Sequence, residues 1–557
     1  METVAVQIHL PKSVAGDPVL AGALQQLAEQ YQRAFEPEGT PAPVTLDEAE
    51  SAAATLGELI GRTLLQNHLE KQSGQLIAAN ATCFGCPRCG QPGAAKPEGK
   101  PCRRSVLTRV GRVEIPGTRY YCASCRLVFF PQHQQLDIGS EGYSPSLLKK
   151  VVYGAAKLGS FAGASDNLLQ TGGFCISTNA VRRIAQTIGG EWQAHQDQQI
   201  AAFKKGKLQR LHREHAAPVA AVMPDAGRVQ TRREATAVGP RDPAWKATNA
   251  VCLMTMSSQE QKADPMPEPP KAFLRPKRVK KMVQEIKAQH GSVENSGGAT
   301  CKSQEQPLAA VEPPAPAEIP STQKPADKRR PGRPQVLVKT VVATMQNTEH
   351  LGWLAATAAH QRGLDLARRK AYVGDGQQSN WSIFEMHFQP WGFIAIVDII
   401  HLITYLYAAG MAAYSKGSDG WEFYCCLLKL AWKGQVDPLL KQLRAKLRNA
   451  DQYQPWRRQA ITDAIRYVDN NRARMNYPEY RRLGLPITSA YIESTIKQIN
   501  KRIKGSEKFW WKDCCDAMLG ITAAYIGNDD APARFWKLKR PHRRAGNYGG
   551  FAYRCAA

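Results

Sequence analysis

Four carboxylates stand where a sequence could do chemistry: Asp225 in "VMPDAGRVQ", Asp375 in "AYVGDGQQSNW", Asp398 in "IVDIIHLITYL" and Glu493 in "SAYIESTIKQINKRIKG". Carboxylate oxygens are hard ligands that suit Mg2+ or Mn2+. Three of them, brought from separate elements, can converge on two such ions. That arrangement activates an attacking oxygen and stabilises a leaving one in phosphodiester chemistry. Each acid also has a plainer reading. Asp-Gly is a common turn dipeptide, so Asp375 between Gly374 and Gly376 could mark a turn and nothing more. Glu493 and Lys497 are spaced as an i,i+4 ion pair on a solvated helix face. His401 follows Asp398 by one helical turn, a spacing for a hydrogen-bonded pair that supports a site.

A second set of candidate ligands is sulfur. Cys86-x-x-Cys89 and Cys122-x-x-Cys125 form two knuckles with the strand-like pieces "SVLTRVGRVEI" and "TRYYCASC" around them. Four thiolates make a closed tetrahedral site for one structural Zn2+, so a zinc ribbon is expected over residues 81–135. The loop "GQPGAAKPEGKP" absorbs the extra length, and Cys83 and Cys102 are nearby spares. The competing reading is two chance turns with free thiols.

These residues need elements to hold them. Residues 1–80 read as helical, in "LAGALQQLAEQYQRAF" and "LDEAESAAATLGELIGRTLLQNHLEKQ". Residues 136–200 read as two short helices, a Gly-containing turn and a third helix from near Ser177, a helix-turn-helix pattern. Asn179, Arg182 and Arg183 lie on the early turns of that third helix, where they can reach phosphates or base edges. Over 201–258, "PVAAVMPDAGRVQTR" reads as strand, acidic turn and strand, and "WKATNAVCLMTMSS" as a third strand. Residues 259–335 are rich in Pro, Lys and Arg and are expected to be a disordered insertion. Its end, Arg329-Arg330-Pro331-Gly332-Arg333-Pro334, resembles the core of an AT-hook, with Arg330 and Arg333 in a minor groove; a basic linker is the plainer reading.

Helix and strands return over 336–410, where "GFIAIVDIIHLITYLYAAG" reads as a strand running into a helix. An all-α stretch follows over 411–485, then the helix carrying Glu493 within 486–530, then a basic tail over 531–557. On the Glu493 helix, Ile492, Ile496, Ile499 and Ile503 make one buried stripe. Lys497, Lys501 and Lys504 lie on the neighbouring stripe, a track of cations suited to a phosphate backbone arriving at Glu493.

The bulk composition agrees with a polyanionic partner. The 557 residues carry 74 Lys and Arg against 48 Asp and Glu, a formal net charge of +26. A membrane partner is not expected. The start "METVAVQIHLPKSVAG" lacks the pattern of a signal peptide, and the longest apolar region, 391–414, carries Asp398 and His401. Fourteen cysteines without an export signal point to a reducing compartment.

Taken in order, "VMPDAGRVQ", "YVGDG", "IVDIIHLITYL" and "SAYIESTIKQINKRIKGSEKFW" resemble the DDE insertion-sequence transposases of the bacterial ISKra group. That group is related to Mutator-like and hAT-like enzymes, which carry a C/D-x-x-H element after the second catalytic aspartate. The resemblance covers the zinc-ribbon and helix-turn-helix region and most of 215–530. It implies a multidomain α/β chain with an RNase H-like mixed sheet interrupted by an all-α insertion. It makes Asp225, Asp375 and Glu493 the magnesium-binding triad and ranks Asp375 ahead of Asp398 as the second acid. Asp398 and His401 match the C/D-x-x-H element. The implied activity is metal-dependent DNA strand cleavage and transfer, on element terminal repeats and target DNA, by a homo-oligomer on the bacterial nucleoid. One departure is Pro224-Asp225-Ala226-Gly227, where the family usually shows Asp-Gly. A proline there must sit where no ladder donor is needed. The alternative from another class is a zinc-containing DNA-binding protein with an inactive core. A structural RNA-binding protein would fit the charge but explains none of the acid placements.

Overall fold

The computed structural model describes residues 45–79, 84–86, 89, 95–97, 102–124, 126–136, 138, 141–211, 217–232, 244–290, 334–448, 454–505 and 508–538, with scattered positions between 21 and 32. Cys125, Arg330, Arg333, most of the first N-terminal helix and the tail beyond Leu538 therefore lie outside the described residues. The chain divides into two compact units, Met1–Ile188 with Ala531–Ala557, and Gly189–Asp530.

The first unit opens with a long helix, α1 (Leu46–Ala79). Its start is fixed by a reciprocal cap: the Thr45 hydroxyl accepts from the Glu48 N–H, and the Glu48 carboxylate accepts from the Thr45 N–H. Short strands follow: β1 (Ala95–Pro97), β2 (Cys102–Thr108), β3 (Gly111–Gly117), β4 (Tyr120–Cys122) and β5 (Leu127–Phe129), then α2 (Pro131–Gln135). β2 and β3 form a hairpin, while β1, β4 and β5 form a separate three-stranded sheet. The Gln66 side chain of α1 donates to the Glu114 carbonyl and accepts from its N–H, both at 2.8 Å, which docks the helix on the hairpin edge. Beneath it Leu69, Val106, Val113 and Ile115 make a small core.

Three helices come next: α3 (Pro145–Lys157), α4 (Phe161–Gly172) and α5 (Thr178–Lys204), the last crossing the division between the units. Ser144 and Ser160 cap α3 and α4 through their hydroxyls, and Gly173 ends α4 in the left-handed conformation at φ 67°.

The second unit is built on a five-stranded mixed sheet. Its strands are β6 (Val219–Thr231), β7 (Ala244–Ser257), β8 (Gln335–Thr344), β9 (Arg369–Gly374) and β10 (Ile394–Val397). They lie in the order β10-β9-β6-β7-β8, with β6, β7 and β8 antiparallel in sequence and β6, β9 and β10 parallel. The run Val219 to Met223 is buried at every residue, the mark of a strand covered on both faces.

The helices of this unit are α6 (Pro276–His290), α7 (Thr348–Gln361), α8 (Gln378–Ile383), α9 (Ile399–Ala412), α10 (Gly417–Trp432), α11 (Val436–Arg448), α12 (Pro455–Asn470), α13 (Tyr477–Arg482), α14 (Ala490–Ile503) and α15 (Lys512–Ile526). α14 packs on β6 and β7, α15 on β8, and α7 on β7 and β8. α9 to α13 form a helical subdomain between β10 and α14. No helix among the described residues is long and apolar enough to cross a membrane.

The structure corrects the sequence reading in three places. First, "PVAAVMPDAGRVQTR" is one continuous strand, β6, and not strand, turn and strand. Its register with β7 runs unbroken through Pro224↔Val251, Asp225↔Ala250 and Gly227↔Thr248. β6 parts from β9 at Val222, so no ladder donor is needed from Pro224 on that side. Second, the third strand of the sheet is β8, after the insertion, so the insertion separates the second and third strands. Third, residues 259–290 are ordered and not a disordered segment. Pro276 opens α6, and Val279, Val283 and Ile286 make a buried stripe along it. Before the helix, Arg481 grips Asp264 with two hydrogen bonds of 2.8 and 2.5 Å, and the Trp432 indole donates to the Met266 carbonyl at 2.8 Å. Proline and lysine content had masked three apolar residues at helical spacing. Residues 291–333 lie outside the described residues.

Candidate functional site

The three acids of the expected triad come from β6, the loop after β9, and α14. Side chains alternate along a strand, so Asp225 shares a face of β6 with Met223 and Gly227. That face is the one α14 covers. A Cβ at Gly227 would meet Thr248 Oγ1 at 2.8 Å and Ile496 of α14 at 3.6 Å. Opposite Met223, Cys252 Sγ contacts Thr495 Oγ1 of α14 at 3.2 Å. Burial pushes the Asp225 carboxyl up to about 7; the charges of Asp375 and Glu493 push the same way, against the backbone N–H of Ala226 and His401.

Asp375 follows the last residue of β9 and sits in a turn that leads into α8. Its Oδ1 accepts from the Gln377 N–H at 3.0 Å and from the Asn380 side chain at 2.9 Å. The residue is half-buried, and its second oxygen accepts no hydrogen bond among the described residues. The flanking glycines are explained by neighbours. Gly376 has φ +100°, and a Cβ there would lie 2.6 Å from the Tyr467 ring. Tyr467 in turn donates its hydroxyl to the Asp375 carbonyl at 2.8 Å and stacks on Tyr405 with ring centroids 4.1 Å apart.

Asp398 is built differently. It is the N-cap of α9, fully buried, with Oδ1 accepting from the Ile400 N–H at 2.8 Å and Oδ2 from the Ser489 hydroxyl at 2.5 Å. Its own N–H donates to the Gly374 carbonyl at 2.8 Å, so the ends of β9 and β10 are joined just below Asp375. Burial raises the Asp398 carboxyl, with His401 and the Ser489 and Ile400 hydrogen bonds opposing.

Glu493 lies in the first turn of α14, half-buried, one helical turn after Ser489. His401 Nε2 stands 3.8 Å from Glu493 Oε1 and 3.9 Å from Asp398 Oδ2. Ligand atoms of Asp398, His401 and Glu493 all lie within 4.8 Å of one another, a group able to hold a metal ion. Burial and then the Asp398 charge raise the Glu493 carboxyl, while His401 and Lys497 oppose. The charges of Asp375 and Glu493 raise Asp225, and that of Asp398 raises Glu493, so an added cation would relieve repulsion here. Among the described residues, neither Asp225 nor Asp375 belongs to the group whose ligand atoms lie within 4.8 Å of one another.

Along α14, Ile492, Ile496, Ile499 and Ile503 are buried, while Lys497, Lys501 and Lys504 are exposed. On α5, Val181, Ile184, Ala185 and Ile188 face inward; Asn179 and Arg183 are exposed on one face and Arg182 is half-buried.

In the first unit Cys86, Cys89 and Cys122 have sulfurs within 4.8 Å of one another, with Cys89 and Cys122 only 3.9 Å apart. Cys86 and Cys122 are buried with Tyr120 and Phe129, and Phe84 and Leu127 pack on them. Arg126 turns the chain into β5 at φ 51°. Three convergent thiols, two buried and Cys89 exposed, fit a soft tetrahedral ion; Cys125, the fourth expected ligand, lies outside the described residues.

Three contributors were missed in the sequence, among them Asn380, whose side chain donates to Asp375. Ser489, which donates to Asp398 and lies 3.4 Å from Glu493, carried a weak signal as a serine just before a helix. Tyr467, 92 residues from Asp375, carried none. No protein-family model matches the chain, and a comparison with curated proteins finds no match.

Proposed function

We propose that the protein is a DNA transposase of an insertion sequence, of the bacterial ISKra group, that cuts and rejoins DNA at Asp225, Asp375 and Glu493. The observation that carries this reading is where the acids fall on the sheet. One is in the central strand β6, one directly follows its parallel neighbour β9, and one lies on α14, which crosses β6 and β7. Three antiparallel strands followed by two parallel ones is the order expected of an RNase H-like core, and α9 to α13 fit the all-α insertion.

Magnesium or manganese ions held by the three carboxylates would supply an activated oxygen and stabilisation of the leaving group. The chain's own residues do the positioning. Asn380, Gln377 and Tyr467 fix Asp375 and leave one carboxylate oxygen without a hydrogen bond among the described residues. Asp398, His401 and Ser489 hold the start of α14, and hence Glu493, against the ends of β9 and β10. Lys497, Lys501 and Lys504 then lie along the path of a phosphate backbone. Asn179, Arg182 and Arg183 are assigned to the element's terminal repeats, and Cys86, Cys89 and Cys122, with Cys125, to one structural zinc in a zinc ribbon. The rest of the reading is a homo-oligomer acting on nucleoid DNA in the bacterial cytoplasm.

A second reading replaces Asp375 by Asp398, because Asp398 shares the close group with His401 and Glu493. It is the weaker one: Asp398 is fully buried and both its oxygens are engaged.

The test is Mg2+-dependent cleavage of a labelled duplex carrying the DNA that flanks the gene. Asp225→Asn and Glu493→Gln should each lower cleavage by roughly a thousandfold or more, with duplex binding kept. Variants that cut like the parent would sink the catalytic reading. A parent that binds DNA and zinc but never cuts would favour the inactive-core alternative.

A further inference from the structure

Beyond the sheet, β6 and β7 continue alone. β6 pairs with β9 only to Val222, and β7 pairs with β8 only from Asn249 onward, so 226–231 and 244–248 run on as a two-stranded ribbon. The chain after α14 adds a third strip. Trp510 makes a parallel bridge with Thr231, its N–H donating to the Gln230 carbonyl at 3.3 Å and its carbonyl accepting from the Arg232 N–H at 2.8 Å.

The two faces of this strip differ. On the α14 side Thr231 and Trp510 are buried, and the Trp510 indole donates to the Ile503 carbonyl at 2.8 Å. Alternation places Gln230, its neighbour Trp245 across the ribbon, and Phe509 in one row on the other side. Trp245 is 44% exposed and Phe509 is 42% exposed. In the same row, Gln230 Oε1 is shielded from solvent and has no hydrogen-bond partner among the described residues. Cations border the row. Lys504 Nζ is 5.6 Å from the Trp245 ring, and the Arg232 guanidinium is 5.8 Å from the Trp511 ring, with Arg228 two residues before Gln230. No carboxylate occurs in 226–232, 244–248 or 508–512.

Exposed rings bordered by cations, with no acid among them, match single-stranded nucleic acid, whose unpaired bases stack on aromatic faces while phosphates meet the cations. Duplex bases are already stacked and cannot use these rings. The geometry points to a second DNA contact, on the ribbon face opposite α14: a short single-stranded segment stacks on Trp245 and Phe509, and its phosphates lie on Arg228 and Arg232. This inference rests on the DNA-directed function proposed above and deepens it, naming unpaired DNA as a ligand at a surface separate from the carboxylates.

The experiment uses the full chain and a labelled 15-nucleotide oligo-dT, with a 15-base-pair duplex as comparison, in fluorescence anisotropy at two salt concentrations. Trp245→Ala and Phe509→Ala should each weaken oligo-dT binding roughly 5- to 100-fold, the range for loss of one stacked base. Trp245→Phe should stay within about threefold of the parent, and duplex cleavage should be unchanged in all three. Because both rings are exposed, thermal unfolding should not shift. Unchanged oligo-dT affinity in both alanine variants overturns the inference. So does a parent that cuts duplex but does not bind oligo-dT, an outcome that leaves the catalytic reading standing. A parent that neither binds nor cuts any DNA overturns both.

Discussion

The molecule gathers side chains able to hold a metal ion in two regions, and it builds them in different ways. Cys86 and Cys122 are sealed among Phe84, Tyr120, Leu127 and Phe129. Asp225, Asp375 and Glu493 are all half-buried, and one oxygen of Asp375 accepts no hydrogen bond among the described residues. An ion closed in by four sulfurs has no open position and would only hold structure together, even though Cys89 is itself exposed, whereas a carboxylate site with an unbonded oxygen could admit a substrate. The same contrast recurs within the second region. Asp375 and Asp398 follow adjacent parallel strands, but one is left with a spare oxygen and the other has none. Burial and hydrogen-bond saturation, more than position along the chain, are what set the two acids apart, and on the proposed function they assign the chemistry to Asp375 and support to Asp398.

Removing metal from the closed region should have the largest effect. Elemental analysis of the purified protein is expected to find one zinc per chain. Cys122→Ser should lose it, and chelation should unfold the segment around β4 and β5, read as new proteolytic cleavage there. A zinc-free chain with unaltered proteolysis would break the contrast.

A smaller effect is expected at Gly376, where the open region meets the helical subdomain. Gly376→Ala places a methyl group 2.6 Å from the Tyr467 ring at φ +100°. It should destabilise the protein by about 2 kcal/mol in denaturant unfolding and slow cleavage with it. Full stability in this variant would mean that the Asp375 turn is not held as described.

A further test is one of pH. Asp225 is raised to about 7 from its ordinary 3.8, by burial first and Asp375 next. Between those values the folded protein holds a proton that the unfolded chain releases, so metal-free stability should fall as pH rises from about 4 to 7. Asp375→Asn should flatten that fall, since it removes one of the raising charges, and added Mg2+ should oppose it. A metal-free protein whose stability rises across this window would contradict the assignment of Asp225.

Much of the site could be read in the sequence because its signals are local. The isoleucine stripe that buries α14 fixes which face Glu493 and the lysines share, and the apolar approach to Asp375 marks the end of β9. What could not be read depends on distant partners. The Asp-Ala-Gly stretch of β6 looks like a turn, yet it is held straight by β7, and a Cβ at Gly227 would meet the Thr248 hydroxyl at 2.8 Å. Order in 259–290 comes from Arg481 and Trp432, far along the chain. Tyr467 is likewise tied to Asp375 only by the fold.

The central claim is that Asp375, and not Asp398, joins Asp225 and Glu493 in holding the divalent ion. Calorimetric titration of Mn2+ into the full-length parent, Asp375→Asn and Asp398→Asn tests it without any assumption about substrate, with thermal unfolding as the check on folding. Asp375→Asn should lose more affinity than the roughly 10- to 100-fold that removal of a supporting partner costs, and Asp398→Asn should stay within that range. If a folded Asp398→Asn fails to bind Mn2+ while Asp375→Asn binds like the parent, the assignment is wrong.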